Sequence, residues 1–362
     1  MRYVLSTVAF NVALAPVTYR LARDALGSEG LGRVARVVAL AVAGAGIAIV
    51  VSAMFDESAF GAARLVCWAA YAHVLPVLLL LGWKASREAT ARREAGRALP
   101  AALPWLVPAL ALGAVGVDAF VVEPRSLDVR RVTISSRKVT RRHRIVAMAD
   151  LQFDDVGAHE KRALRAALDE KPDMVLLLGD YAQGEERNPE LHAALREHLR
   201  AAGFSAPDGV YAVRGNVDDD AWKDAFAALP IVTIEETTRL ERGELVLTGL
   251  SMAESFVPTL EVPREPDRFH VVFGHAPNFA LRTRADLMLA GHTHGGQIQL
   301  PGLGALITMS EVPRAWADGP THLAEDATLI VSRGVGMERR AAPRVRFFCR
   351  PDIFVIDVVP GR

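Results

Sequence analysis

Residues 287–297 read LMLAGHTHGGQ: four apolar residues, a glycine, and two histidines one residue apart, followed by Gly295 and Gly296. A short apolar run closed by glycine and a polar group reads as a buried strand, and in an α/β sheet ligands sit just beyond the strands' carboxyl ends. Alternate residues of a strand point to opposite faces, so His292 and His294 can serve one site only where the backbone has become a loop. Gly291, Gly295 and Gly296 permit that. The same grammar recurs upstream. Residues 145–149 run into Asp150, 174–178 into Gly179-Asp180, 210–213 lead to Gly215-Asn216, and 270–273 to Gly274-His275. Five strand ends can converge on one point. Between them lie helical patterns over 160–168 and 190–202, as expected of βαβ crossovers. Runs at 245–248, 327–332 and 353–358 end in no ligand type and predict a second sheet packed against the first.

Taken singly, each ligand assignment is weak, because Asp after a strand also caps helices and Gly-Asn is a common turn pair. Together, Asp150, Asp180, Asn216, His275, His292 and His294 give oxygen and nitrogen donors without thiolate, a set suited to Mn, Fe or Zn and less to Mg. Cys67 and Cys349 are the only cysteines, which excludes a cystine framework or a thiolate metal site.

The first third is a different material. The stretches 3–19, 37–55, 65–83 and 98–117 contain no Asp, Glu, Lys or Arg, and each approaches the length needed to cross a hydrocarbon core of about 30 Å. They predict four membrane spans. A cleaved signal peptide is the alternative for the first, where Ala13-Leu14-Ala15 resembles a processing site, but Pro16 and the spans beyond favour an anchored bundle. His73, inside the third span without a carboxylate in the apolar run, is expected to hydrogen-bond within the bundle. Arg20, Arg23, Arg33 and Arg36 flank the first connection, and Lys84, Arg87, Arg92, Arg93 and Arg97 the third. The second has Asp56, Glu57 and only Arg64. The positive-inside rule then puts the C-terminal domain outside the cytoplasm. The basic cluster from Arg125 to Arg144 argues for the opposite orientation.

The 42 basic and 42 acidic residues cancel, yet residues 1–122 hold 11 against 7 and residues 123–362 hold 31 against 35. Neither part has the one-sided charge of a polybasic nucleic-acid binder, so no nucleic-acid partner is expected. The organisation expected is a transmembrane helical domain over 1–122, a basic linker and first strand over 123–143, and an α/β domain over 144–362. Oligomeric state stays open.

The blocks Asp150-Leu-Gln152, Gly179-Asp180, Gly215-Asn216-Val217-Asp218, Gly274-His275 and Gly291-His292-Thr293-His294 resemble those of the calcineurin-like metallophosphoesterases. The runs 291–297 and 331–336 and the block at 179–181 are similar to the membrane-associated branch of that superfamily. The resemblance implies a four-layer αββα sandwich and two divalent metal ions. Asp150, Gln152, Asp180 and His294 would serve the first metal, and Asn216, His275 and His292, with Asp180 bridging, the second. It further implies catalytic roles for Asp180, Asn216 and Asp218. A bridging carboxylate holds two cations about 3.5–4 Å apart, close enough to acidify a shared water and clamp phosphoryl oxygens. The implied activity is hydrolysis of a phosphodiester, pyrophosphate or phosphomonoester at a lipid bilayer, lipid-linked substrates included.

Two positions depart from the family pattern. Its first block ends in His where this chain has Gln152, whose amide oxygen is a weaker ligand than imidazole. Asp154 or Asp155 could substitute, or could cap the helix starting near His159. The third block has His where this chain has Val217, which cannot donate a proton. These departures motivate the alternative of a weakened relative that binds metal or a phosphorylated ligand without turnover. A transporter role for the bundle is disfavoured by its few polar residues. Arg214 and Arg333, beside two of the blocks, are the candidates for gripping phosphate.

Overall fold

In the computed structural model, residues 2–92, 95–184 and 189–361 are described, so Arg93 of the third connection lies outside them. The chain forms two compact units, Met1–Val121 with Arg339–Arg344, and Val122–Glu338 with Val345–Arg362. Of the six residues Arg339–Arg344, Ala342 and Pro343 are buried while Arg340 and Arg344 are exposed.

Among the described residues, four helices are long and apolar enough to cross a membrane: Arg2–Gly27, Leu31–Met54, Ala59–Ala91 and Ala98–Arg125. Phe10, Leu14, Leu40, Leu65 and Leu81 are buried between them, whereas Val12, Val42, Ile49 and Leu110 face outward. Apolar side chains on both faces mark a helix surrounded by apolar material on all sides. His73 hydrogen-bonds Thr18 Oγ1 through Nδ1 (2.8 Å) and Asn11 Oδ1 through Nε2 (3.0 Å), the internal partners expected of a lone intramembrane imidazole. The third helix takes a π turn at Ala69–Val74 before Pro76, and the fourth takes one at Asp118–Val122.

The second unit is built on two six-stranded sheets. The first contains β1 (Asp128–Ser136), β2 (His143–Met148), β3 (Met174–Leu177), β4 (Val210–Val213), β5 (Ile231–Ile234) and β14 (Asp352–Pro360), in the order β1-β14-β2-β3-β4-β5. The second contains β6 (Thr238–Arg242), β7 (Leu245–Gly249), β8 (Phe269–Phe273), β9 (Leu287–Ala290), β12 (Gly319–Ala324) and β13 (Ala327–Val331), in the order β12-β13-β9-β8-β7-β6. A small hairpin, β10 (Gln299–Leu300) and β11 (Gly304–Ala305), follows the histidine loop. Strands β2 to β5 are mutually parallel, as are β7, β8, β9 and β13. The fully buried runs of β3, β4, β8 and β9 are what parallel strands covered on both faces require.

Between the sheets lie Ile145, Leu176, Tyr211, Leu247, Phe269, Val271, Leu289 and Phe354. The outer face of the first sheet is covered by helices Ala158–Asp169 and Pro189–Ala201. Each buries one stripe, Ala163, Leu164 and Ala167 in one and His192, Leu195 and Leu199 in the other. Short helical turns and loops, with Phe279 and Ala280 buried, cover the second sheet instead of long helices. One expectation fails: 353–358 belongs to the first sheet, pairing parallel with β1 and antiparallel with β2. Ile353 and Val355 pack toward the helices and Phe354, Ile356 and Val358 between the sheets, so both faces are apolar. Hydrophobicity alone cannot assign such a strand to a sheet.

Candidate metal centre

The ligand-bearing strands are neighbours within their sheets, β2-β3-β4 in one and β8-β9 in the other. Two groups of donors meet just beyond their ends. Ligand atoms of Asp180, His275 and His292 lie within 4.8 Å of one another, as do those of Asp150, Asp180 and His294. Asp180 belongs to both. His275 Nε2 is 3.3 Å from Asp180 Oδ2 and 2.8 Å from Asn216 Oδ1, so Asn216 joins the first group, at the exposed side. His294 Nε2 is 3.8 Å from Asp150 Oδ1.

The backbone is bent to achieve this. Asp150, Gln152, Asp180, His292 and His294 all have positive φ, between 40° and 68°. Non-glycine residues adopt that region at a cost of roughly 1–3 kcal/mol each, and such residues cluster at functional sites. Both histidines of the 292–294 pair thus leave the strand path, as the glycine-flanked loop required. At Gly291 an added Cβ would fall 2.5 Å from Asp150 Oδ2, so the bare backbone lets the His292 N–H approach the Asp150 carboxylate at 3.1 Å. Gly215 is as constrained, since a Cβ there would sit 2.1 Å from Asp180 Oδ1.

Surrounding groups hold these side chains. The Leu178 carbonyl takes His275 Nδ1 (2.9 Å) and the Met309 carbonyl takes His292 Nε2 (3.1 Å), fixing ring orientation as partners of metal-binding histidines do. Tyr181, next to Asp180, stacks on Trp222 at 5.9 Å, meets Phe226 edge-on at 4.8 Å, and donates its hydroxyl to the Val213 carbonyl (2.8 Å). Each aromatic pair adds about 0.5–1.5 kcal/mol beyond area burial, which anchors the Asp180 loop from one residue away. Asp218 accepts the backbone N–H groups of Asp180 (2.9 Å), Tyr181 (2.7 Å) and Gly215 (2.8 Å). Its carboxylate ties two ligand loops together and is 4 % exposed, a bracing place between the Asp180 and Asn216 loops. Burial, and then the Asp180 charge, push its pKa up to about 7.

The protonation pattern is divided: His292 and His294 are held in the neutral form a cation needs, whereas Asp150 and His275 favour protons that a bound cation would displace. Burial and then the Arg346 guanidinium hold His294 well below its ordinary pKa, and burial and then His275 bring His292 down to about 4, so both rings keep lone pairs. Burial pushes the Asp150 carboxyl well above the carboxylate range, and Asp180 adds to the rise. Burial opposes ionisation of Asp180 too, but the His275 imidazole outweighs it and holds Asp180 below its usual value. For His275, burial is overcome by the Asp180 charge and hydrogen bond, and its pKa rises to about 9. Among the described residues, both ring nitrogens of His294 are buried without a hydrogen-bond partner, a costly arrangement unless a cation takes a lone pair. The residues fit divalent ions.

Gln152 is fully buried, and its Nε2 donates to Gln183 Oε1 (2.9 Å) and Glu338 Oε2 (3.0 Å), while Gln183 Nε2 donates to Glu338 Oε1 (2.8 Å). Glu338 can only accept, which fixes the orientation of both amides. Sequence reasoning missed Gln183 and Glu338, since neither closes a strand. The only nearby signal is the run at 331–336 that ends two residues before Glu338. Asp154 and Asp155 are exposed and belong to neither donor group, and the following helix is capped by Gly157, whose N–H donates to Glu160. Arg214 is spent on the Asp218 carbonyl (3.0 Å) and Asp220 (3.1 Å), and Arg333 on Asp318 (2.8 Å).

Residues 143–296 match the calcineurin-like phosphoesterase family. The chain is 28% identical over 276 residues to YkuE of Bacillus subtilis, an uncharacterized metallophosphoesterase, covering 69% of this chain and 93% of that protein. It is 27% identical over 212 residues to the phosphodiesterase YaeI of Escherichia coli, covering 54% and 74%. A dimetal phosphatase from Danio rerio aligns over 56% of this chain and 90% of its own, at 12% identity and a TM-score of 0.32. The chain thus carries a calcineurin-like phosphoesterase domain over residues 143–296 and is similar to metallophosphoesterases beyond it. It is a phosphoester hydrolase.

Proposed function

We propose that this chain is a membrane-anchored, two-metal phosphohydrolase whose catalytic unit lies outside the cytoplasm. The observation that carries the reading is Asp180, shared by two donor groups. In this reading Asp150, Gln152, Asp180 and His294 hold one ion, and Asp180, Asn216, His275 and His292 the other. When bound, two divalent cations supply Lewis acidity to the phosphoryl oxygens and to the attacking water. The oxygen and nitrogen donors favour Mn, Fe or Zn. The arginines beside the blocks are engaged elsewhere, so attraction for an anionic phosphoester rests on the cations. The four apolar helices support anchoring, and the basic first and third connections support the orientation. A site on a membrane-anchored chain suits phosphoesters presented at the bilayer surface, lipid-linked ones among them.

Val217 narrows the chemistry. Its backbone N–H donates to Asp180 Oδ1 (2.9 Å), but its side chain has no proton for a leaving group. The substrate is accordingly one with a low-pKa leaving group, such as a pyrophosphate or an aryl ester, which needs little acid assistance. With metal added, the purified chain is expected to turn over an aryl phosphodiester at least about tenfold faster than a simple alkyl phosphomonoester. Equal or faster cleavage of the alkyl ester would overturn this assignment.

Gln152 tunes the same site. Gln152→His replaces a neutral amide oxygen with imidazole and should tighten the weaker ion by roughly tenfold or more in a metal titration. Unchanged affinity and stoichiometry would place residue 152 off the metal.

A further inference from the structure

We infer, on the two-metal reading above, that the metal centre is bordered by an apolar lip that receives the hydrocarbon part of its phosphoester, so that the substrate is an amphiphile with a chain beside the phosphoryl group. Among the candidate ligands, Asp150, Gln152, Asp180, His275 and His294 are buried, whereas Asn216 is exposed and His292 half-buried. A substrate therefore arrives on the side of Asn216 and His292.

Two segments flank His292 there. The Phe256 ring meets its imidazole edge-on at 4.9 Å, and the Met309 carbonyl, at the end of the segment that carries the β10–β11 hairpin, takes its Nε2 at 3.1 Å. Buried Asn278 ties the two segments to each other: its Nδ2 donates to the Phe256 carbonyl (3.2 Å), and its Oδ1 accepts the Ser310 hydroxyl (2.5 Å) and the Glu311 N–H (3.2 Å). The second segment is also seated on the histidine loop. A Cβ at Gly296 would fall 2.6 Å from the Ile307 carbonyl oxygen, so that approach requires glycine. A lip held in this way has little freedom left to lose when a ligand binds.

What these segments expose is apolar. Among the described residues from β1 onward, six large apolar side chains are exposed, and four of them stand here: Leu303 at 67 %, Met309 at 49 %, Leu306 at 43 % and Val257 at 37 %. Such side chains scattered singly are ordinary, whereas a group of them beside a ligand site marks an interaction surface. Residues 298–310 contain no Asp, Glu, Lys or Arg, so this stretch offers no charged partner to a sugar or a nucleotide. A hydrocarbon chain needs none, and gains from each methylene taken out of water. Because the lip begins at His292, whatever covers it lies against the phosphoryl site, which singles out the substrate over the bilayer or a second copy of the chain.

The full chain, loaded with metal and held one per lipid nanodisc, would be titrated by calorimetry with methylphosphonate and hexylphosphonate, which share a headgroup and are not hydrolysed. Hexylphosphonate should bind at least about tenfold more tightly, a modest gain for its added methylenes. Leu303→Ser combined with Leu306→Ser should cut that ratio to about twofold or less, and Val257→Asp, on the other segment, should do so independently. Equal affinities in the unsubstituted chain would overturn the lip and leave the two-metal reading standing, whereas binding of neither probe would count against both. A preference that persists in both variants would place the hexyl group in the disc lipid, and one that needs two chains per disc would give the face to a second copy. Either result would also overturn the assignment.

Discussion

Asp180→Asn is expected to lower phosphoester hydrolysis by at least about a thousandfold, or ~4 kcal/mol of transition-state stabilisation, while leaving the fold intact. The side chains are nearly the same size. The Asn oxygen can still accept the Val217 N–H that now bonds Asp180 Oδ1 at 2.9 Å. What disappears is the negative charge common to both donor groups, on which the affinity of two neighbouring cations depends. The amide would also set an N–H₂ against His275 Nε2, where the carboxylate oxygen now lies 3.3 Å away. Activity and bound metal should fall together, with unchanged far-ultraviolet circular dichroism. Hydrolysis within tenfold of the unsubstituted protein would mean that Asp180 is not the shared ligand.

Asp218→Ala should act through the fold instead. It removes the acceptor for three buried N–H groups, those of Asp180, Tyr181 and Gly215, on two separate ligand loops. Orphaned buried donors cost about 1–3 kcal/mol each, though neighbouring loops relax, so a loss of roughly 3–5 kcal/mol is expected. The carboxylate offsets part of this already, because burial and the Asp180 charge make its ionised form costly. At roughly 2–4 °C per kcal/mol for a unit of this size, the thermal midpoint should fall by about 10 °C or more. A shift of only a degree or two would show that the loops hold their positions without it, and would return Asp218 to consideration as a reacting group.

How the sequence encodes this site is uneven. Asp150, Asp180, Asn216, His275, His292 and His294 were legible because each follows a buried parallel strand, and the fold brings adjacent strand ends together. Even the division into two groups sharing Asp180 followed from the resemblance. The residues that hold the ligands were not legible. Gln183 and Glu338 reach Gln152 from 31 and 186 residues away, and no local periodicity marks such contacts. The role of Asp218 was hidden for the same reason, since its partners are backbone amides of a loop 37 and 38 residues earlier as well as its own. Arg214 and Arg333 looked available in sequence, but Asp220 and Asp318 occupy them. The last strand misled because both its faces are buried, which erases the alternation that would have assigned it to a sheet.

The metal content of the purified full-length chain, counted per molecule alongside the same count for Asp180→Asn, tests the central claim most directly. Two divalent ions per unsubstituted chain, with both reduced together in the variant, is the result predicted by a carboxylate shared between Asp150–His294 and His275–His292. One ion or none in the unsubstituted chain after metal reconstitution, or two ions that survive Asp180→Asn, would contradict it.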